Sequence, residues 1–270
     1  MTEADAEGLV AERRNLRLTR LRELLDEGGA LRLTEAARAL GVSSMTVRRD
    51  LAAFGGELAV LGGHVVAPGG GGQVSRYVLD REQASHVPGK REAALHAARL
   101  VEDGDTLFVD CGTTMPYLIE SLPEGFTLTV VCYALNIALL ATRRLGTQVV
   151  LLGGLFHPAS ATFYSKEALR SLEGLGINKA FLSAGGVHPT RGASCSNFNE
   201  VPVKQAVLAQ AMRCFLVADA SKLGQLKPAH FASLHAFERI ITDSAAGAEA
   251  LAMVRQGGAM IDVAAAAQPP

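Results

Sequence analysis

Eleven consecutive residues, Gly41-Val42-Ser43-Ser44-Met45-Thr46-Val47-Arg48-Arg49-Asp50-Leu51, leave this chain little freedom in how it folds locally. Gly41 tolerates the positive φ that a tight interhelical turn needs. Ser43 is a good N-cap, because its hydroxyl accepts an otherwise orphaned backbone N–H of the next turn. Val47, Leu51 and Phe54 recur at i, i+4 and i+7, so one helix face is apolar and docks. Ser44, Thr46, Arg48 and Arg49 are left to point away from that core. Short polar groups at a helix start, followed one turn later by arginines, suit base edges and phosphates in a major groove. The stretch reads as the turn and second helix of a helix-turn-helix. Its partner is then double-stranded DNA, with Ser43, Ser44, Thr46, Arg48 and Arg49 as candidate contacts.

The flanks fit that reading. An amphipathic helix is expected over 12–27, with Leu16, Leu21, Leu24 and Leu25 inward and Gly28-Gly29 as its stop. Residues 31–33 alternate like a short strand, and Thr34 can cap a second helix over 35–40 with Ala36, Ala37 and Leu40 inward. Beyond Phe54, two short apolar runs flank Gly62-Gly63 and predict a hairpin. Three helices and a hairpin make a winged helix-turn-helix over residues 10–67. Bulk charge adds little: the net charge is −1, and residues 10–63 hold nine arginines against seven acids. A DNA-binding reading rests on where Arg48 and Arg49 stand.

Pro68-Gly69-Gly70-Gly71-Gly72-Gln73 opens a linker, taken as 68–89, because glycine runs behave as flexible coil. No Gly-Lys-Ser/Thr follows it, so it is not read as a phosphate loop. From Lys90 the pattern changes. Apolar strands at 106–109, 127–132, 148–152, 179–183, 214–218 and 239–242 alternate with helices at 90–101, 115–121, 136–144, 165–172 and 201–212. Such alternation predicts a parallel α/β sheet, here a second domain over 90–256 with a tail at 257–270. Four widely spaced cysteines with no C-x-x-C argue for a reducing cytosol and against a cysteine metal site. Seven histidines form no H-x-x-x-H, so neither a metal nor another cofactor is expected. No apolar run is long enough for a membrane span.

In open α/β sheets, ligands bind at the carboxyl ends of strands. Asp110-Cys111-Gly112-Thr113-Thr114 follows a buried strand and opens a helix, which suits a phosphate or polyol on Gly112, Thr113 and Thr114. The same residues also fit an ordinary strand-to-helix turn capped by Thr114. Gly153-Gly154 and Gly185-Gly186 end later strands and carry the same ambiguity between open amides and plain turns. No Gly-x-Gly-x-x-Gly fingerprint occurs there. Glu200, Lys204, Asp219 and Lys222 are charges at the edges of strongly apolar elements. Together they can hold a sugar phosphate, lysines on phosphate and carboxylates on hydroxyls. Taken singly, each also fits a surface ion pair.

Residues 41–51, with Leu61-Gly62-Gly63-His64, resemble the winged helix-turn-helix of the DeoR family of bacterial repressors. The second half resembles that family too, through Asp110–Thr114, Gly153-Gly154, Ala184-Gly185-Gly186-Val187, Glu200-x-x-x-Lys204 and Asp219-Ala220-Ser221-Lys222. The stretches 108–114, 131–136, 153–157 and 195–204 look closest to the family's name-giving member. The resemblance implies a sensor of the sugar-phosphate-isomerase/CoA-transferase-like α/β fold, in a homo-oligomeric cytoplasmic repressor of sugar or nucleoside catabolism. It implies a phosphorylated pentose as effector, deoxyribose 5-phosphate above all. The alternative is an isomerase-like enzyme carrying a DNA-binding domain, in which Glu200, Lys204 and Asp219 would move protons.

Overall fold

The computed structural model describes residues 14–25, 31–52, 58–61, 64–66, 82–83, 85–158 and 160–265. Phe54, Gly28-Gly29, Gly62-Gly63, the glycine run at 69–72 and most of the expected linker lie outside them. The chain divides into two compact units, Met1–Leu79 and Asp80–Pro270.

In the first unit, α1 (14–25), β1 (Leu31–Arg32), α2 (Leu33–Ala39), α3 (Ser44–Ala52), β2 (Ala59–Leu61) and β3 (His64–Val66) follow in order. β3 lies between β1 and β2, antiparallel to both. Three helices and a small sheet are the winged helix that the sequence predicts. Leu18, Leu21 and Leu25 of α1 pack with Ala36 and Ala37 of α2, Val47 and Leu51 of α3, and Leu58 and Val65 beside or within the wing. Leu16, expected inward, is 66% exposed, and Leu18 takes its place at 1%. Positions 18, 21 and 25 repeat with the helix and position 16 falls off that stripe. Thr34, expected as a cap, sits inside α2 instead. Arg32 holds the N-cap position, and its backbone N–H donates to the Glu35 carboxylate at 3.3 Å.

The second unit begins with α4 (Val87–Ala98), then β4 (Thr106–Val109), α5 (Met115–Ser121), β5 (Leu128–Cys132), α6 (Leu135–Ala141) and β6 (Thr147–Leu151). A hairpin, β7 (Leu155–His157) and β8 (Thr162–Tyr164), leads to α7 (Lys166–Glu173) and β9 (Lys179–Leu182). Next come β10 (Gly186–His188), β11 (Gly192–Cys195), α8 (Val201–Gln210), β12 (Arg213–Val217), β13 (Ala229–Ala232), β14 (Arg239–Thr242), α9 (Ala248–Gln256) and β15 (Ile261–Val263). Seven strands form one parallel sheet in the order β15-β14-β12-β9-β4-β5-β6. Its central strands are continuous apolar runs, as a sheet covered on both faces requires. Leu107, Phe108, Val109, Ala180, Phe181 and Leu182 are all fully buried.

Strand order reverses between β4 and β9. The chain first runs outward through β5 and β6, then returns to build β9, β12, β14 and β15 on the other side. That reversal opens a crevice at the carboxyl ends of β4 and β9. The antiparallel trio β10-β11-β13 lies beyond the parallel sheet's strand β9 in sequence, and short strands rich in small residues gave no alternating signal for it. Residues 261–263, placed in the tail from sequence, are instead the edge strand β15, paired with β14. Three residues are too few to show a period.

Two leucines of α1 test this packing. Leu18→Ala should cost about 2–5 kcal/mol, as cavity-forming core truncations do. Leu16→Ala should stay within about 0.5 kcal/mol, as exposed substitutions do. Urea unfolding of the full chain, followed by circular dichroism, reads both; equal costs would misplace α1.

Candidate functional site

Two surfaces bring the sequence-singled residues together, one on each unit. On α3, Ser43 caps as expected: its Oγ accepts the Thr46 backbone N–H at 3.1 Å and lies 2.9 Å from Thr46 Oγ1. Gly41 has φ +64°, the turn conformation its position predicts. Arg48 and Arg49 are exposed, Met45 is 66% exposed beside them, and Ser44 is half-buried. The sequence reading missed what steadies this helix. Asp50 is buried and takes a bidentate pair from Arg17 of α1, at 2.7 and 3.0 Å. That fork fixes α3 against α1 and leaves Arg48 and Arg49 pointing outward.

On the second unit the carboxyl edge of the sheet carries a buried charge network. Asp110 follows β4 and is fully buried. Its Oδ1 accepts from Tyr133 Oη at 2.7 Å. Its Oδ2 accepts from the Ser183 backbone N–H at 2.7 Å, from Ser183 Oγ at 2.8 Å and from Lys204 Nζ. Ser183 Oγ is also 2.6 Å from the Cys111 carbonyl, so its single proton chooses between two acceptors. Lys204 Nζ, on α8, donates further to the Ser183 carbonyl at 3.1 Å and sits 4.9 Å from the Phe231 ring centre. Glu200 Oε2 lies 3.9 Å from Lys204, and Glu200 Oε1 accepts from Asn197 Nδ2 at 2.8 Å. Burial pulls the Lys204 ammonium down, but Asp110, Cys111 and Glu200 more than offset it and hold it above the usual lysine range. Burial, then the Asp110 charge, pushes the Tyr133 phenol and the Cys111 thiol well up, so both stay neutral donors.

The four charges read together from sequence part into two groups. Glu200 and Lys204 join Asp110. Asp219 and Lys222 stand at the end of β12 with Lys90 and Glu82, and among the described residues no hydrogen bond or ion pair joins the two groups. Asp219 is 1% exposed; its Oδ1 accepts from the Ser221 backbone N–H at 3.0 Å and from Ser221 Oγ. Its Oδ2 is buried and finds no hydrogen-bond partner among the described residues. Lys222 Nζ donates to Glu82 Oε2 at 3.0 Å. Lys90 is fully buried, and burial lowers its pKa despite the nearby Asp219 charge. Lys227 lies across Gly185, where a Cβ would come 3.0 Å from Lys227 Cγ.

The glycines sort differently. Gly112 has φ +104°, and a Cβ there would come 2.5 Å from Ser183 Oγ, so a larger residue would break the network. Thr113 faces an open cleft of about 360 Å³ with Gln83, Tyr117, Asn136 and Arg143. Thr114 holds the N-cap position of α5 but makes no side-chain capping bond. Gly153 and Gly154 are exposed at the end of β6, two strands from β4. Gly185 spends its N–H on the Ser194 carbonyl at 2.9 Å. Gly186 is buried in β10 with the Gln225 carbonyl 2.6 Å from where a Cβ would stand. Close packing therefore accounts for both, and the open amide read for Gly185 is taken.

Comparison with known proteins gives the two units their kinship. Residues 17–64 match the DeoR-like helix-turn-helix domain and residues 85–244 match the DeoR C terminal sensor domain. The chain is 38% identical over 231 residues to the deoxyribose operon repressor of Escherichia coli (strain K12), covering 86% of this chain and 91% of that one. The chain belongs to the DeoR family. A second relative, the lactose phosphotransferase system repressor of Staphylococcus epidermidis, is 31% identical over 237 residues, covering 84% of this chain and 91% of that one. Among solved structures, ribose 5-phosphate isomerase A from Methanocaldococcus jannaschii matches 51% of this chain and 55% of that one, at 19% identity and a TM-score of 0.38. That likeness is too slight to bear on chemistry. Among the described residues, no helix is long and apolar enough to cross a membrane.

Sequence reasoning missed Tyr133, Lys90, Glu82 and Lys227. Lys90 was legible: it precedes the inward residues Ala93, Ala94 and Ala97 of α4 by three, four and seven, which puts it on the buried stripe. Tyr133 carried no comparable local signal.

The buried pair sets a testable asymmetry. Lys204→Met leaves the Asp110 charge unpaired and should cost about 3–5 kcal/mol. The double substitution Asp110→Asn with Lys204→Met removes both charges and should cost clearly less. Thermal unfolding of the two variants reads the difference; equal losses would show that the pair itself is not what holds the crevice.

Proposed function

We propose that this DeoR-family repressor binds its operator through α3 and is released when a phosphorylated pentose, deoxyribose 5-phosphate above all, occupies the carboxyl edge of the sensor sheet. The chain is a transcriptional repressor of a sugar or nucleoside operon, working in the cytoplasm as a homo-oligomer. Two-fold operators favour at least a dimer. The observation that carries the effector reading is the group at the end of β12. There, two lysines with largely buried side chains stand beside a buried carboxylate that has an unpartnered oxygen, at the edge where open α/β sheets take ligands. Ammonium groups suit a phosphate, and Asp219 Oδ2 suits a sugar hydroxyl as donor. The higher identity to the deoxyribose operon repressor than to the lactose relative favours the pentose.

In this reading Asp219 and Lys222 contact the effector; Thr113 and Thr114 stand at the neighbouring strand end, Asp110, Gly112, Glu200 and Lys204 form the filled network beside it, and Gly153 and Gly154 lie two strands away. Gly185 and Gly186 support it by packing. On the other unit, Arg48 and Arg49 reach phosphate or guanine, and Ser43, Ser44 and Thr46 set the start of the helix against the duplex. The isomerase-like alternative is not favoured. A proton-transfer lysine needs a lowered pKa, whereas Lys204 is held high by its neighbours and both Asp110 oxygens are filled.

Two measurements check this. In operator binding by fluorescence anisotropy, deoxyribose 5-phosphate should release the DNA while glucose 6-phosphate and ribose 5-phosphate act more weakly. Release by another sugar phosphate alone would replace the effector, and no response to any would remove the sensor role. Arg48→Ala and Arg49→Ala should each weaken operator binding by about 1–3 kcal/mol if they read bases, while leaving the thermal shift with sugar phosphate unchanged. Unaltered binding of the double variant would take α3 out of the groove.

A further inference from the structure

Glu82 stands at the start of the second unit, two residues beyond Asp80. It is held twice. Its carboxylate accepts from Lys222 Nζ at 3.0 Å, and its main-chain carbonyl accepts from Lys90 Nζ. Lys90 also donates to the Ser85 carbonyl at 2.7 Å, so the same lysine ties down the whole short segment. The two lysines are unlike ordinary surface partners: Lys90 is fully buried and the Lys222 side chain is 16% exposed. Glu82 itself is half exposed. Burial pushes its carboxyl up, but the Lys222 hydrogen bond and charge, then Lys90 and Lys227, hold it below the usual carboxylate range.

The neighbouring carboxylate behaves differently. Asp219 is tied through Oδ1 to Ser221, while its Oδ2 lies buried without a partner among the described residues. One anion in this group is therefore locked in place and aims an unused acceptor inward, and the other reaches in from an exposed side chain. An exposed ion pair alone contributes little to stability. Here the pair closes a lysine that a ligand would need.

We propose that Glu82 is a built-in competitor for the effector: its carboxylate occupies the place of the effector's phosphate on Lys222, and phosphate binding displaces it. The inference rests on the sugar-phosphate reading of the site given above. A phosphate monoester brings more negative charge than a carboxylate, and more acceptor oxygens. It also leaves the sugar free to present a hydroxyl to Asp219 Oδ2. A ligand moves an equilibrium only through a difference in affinity between two states. Glu82 supplies that difference, because the lysine is filled in one state and open in the other. What the displacement removes is one of the two holds on the segment that leads, in sequence, back toward the winged helix; the Lys90 bonds to its carbonyls remain.

The test uses the full chain and deoxyribose 5-phosphate, with binding by calorimetry and amide exchange by mass spectrometry. Removing the competitor by Glu82→Gln should tighten binding about threefold or more, the scale of one released ion pair. Lys222→Met should abolish it. In the wild type, ligand should speed exchange of the peptide around residues 82–90 while slowing the rest of the sensor. In Glu82→Gln that peptide should already exchange faster than in the ligand-free wild type, and ligand should add little. Binding by the wild type that Glu82→Gln leaves equal or weaker, or slower exchange around 82–90 on binding, overturns the competitor and leaves the sugar-phosphate site standing. If neither protein binds, the site reading falls, and the competitor with it.

Discussion

Asp110 is a carboxylate with no water to face, so the protein itself must meet its charge. It does so with four groups from three elements: the phenol at the end of β5, the amide and hydroxyl at the end of β9, and the ammonium of α8, all converging on the residue that follows β4. A buried charge left alone would be very costly, and a paired one is tolerable only with good geometry and further hydrogen bonds. The strand-order reversal between β4 and β9 is thus locked by electrostatics as well as by apolar packing. Lys204 serves this lock, which explains why it is held protonated and poorly suited to carrying protons.

With that lock in place, the neighbouring strand end can afford an incomplete arrangement. Asp219 leaves one oxygen unsatisfied, and Lys90 is buried at some expense to its charge. Buried polar groups are ordinarily paired, so the orphan oxygen beside Lys90 and Lys222 is the feature on which the proposed effector site rests. One edge of one sheet therefore carries a finished network and an unfinished one. The division of labour on the first unit is similar. The Arg17–Asp50 fork is internal and fixes α3, whereas Arg48 and Arg49 stay exposed, as the proposed operator contact requires.

Much of this was legible in the residues, and the exceptions have physical reasons. Ser43, Gly41, Val47 and Leu51 act locally, within one turn of helix, and their roles follow from spacing. The parallel strands were legible because both faces are covered and the runs are uniformly apolar. Leu16 is a leucine off the buried register of positions 18, 21 and 25, so residue type and helical period disagree there. Strand β15 and the β10–β11–β13 trio escaped because strands of three or four residues show no period. The split of Glu200 and Lys204 from Asp219 and Lys222 depends on strand order, which no local pattern encodes. Lys90, by contrast, sat on a buried stripe in plain view, and a lysine there was the sharper clue to a charged interior.

Everything proposed for the sensor depends on the effector lying at the carboxyl edge beside Asp219 and Lys222. The most direct measurement is a crystal structure of the full chain grown with deoxyribose 5-phosphate. The phosphate should lie within hydrogen-bonding reach of Lys222 Nζ, with a sugar hydroxyl on Asp219 Oδ2 and the Asp110–Lys204 contact intact. The ligand bound instead in the cleft of Arg191, His230 and His235, with Lys222 still on Glu82, would contradict it.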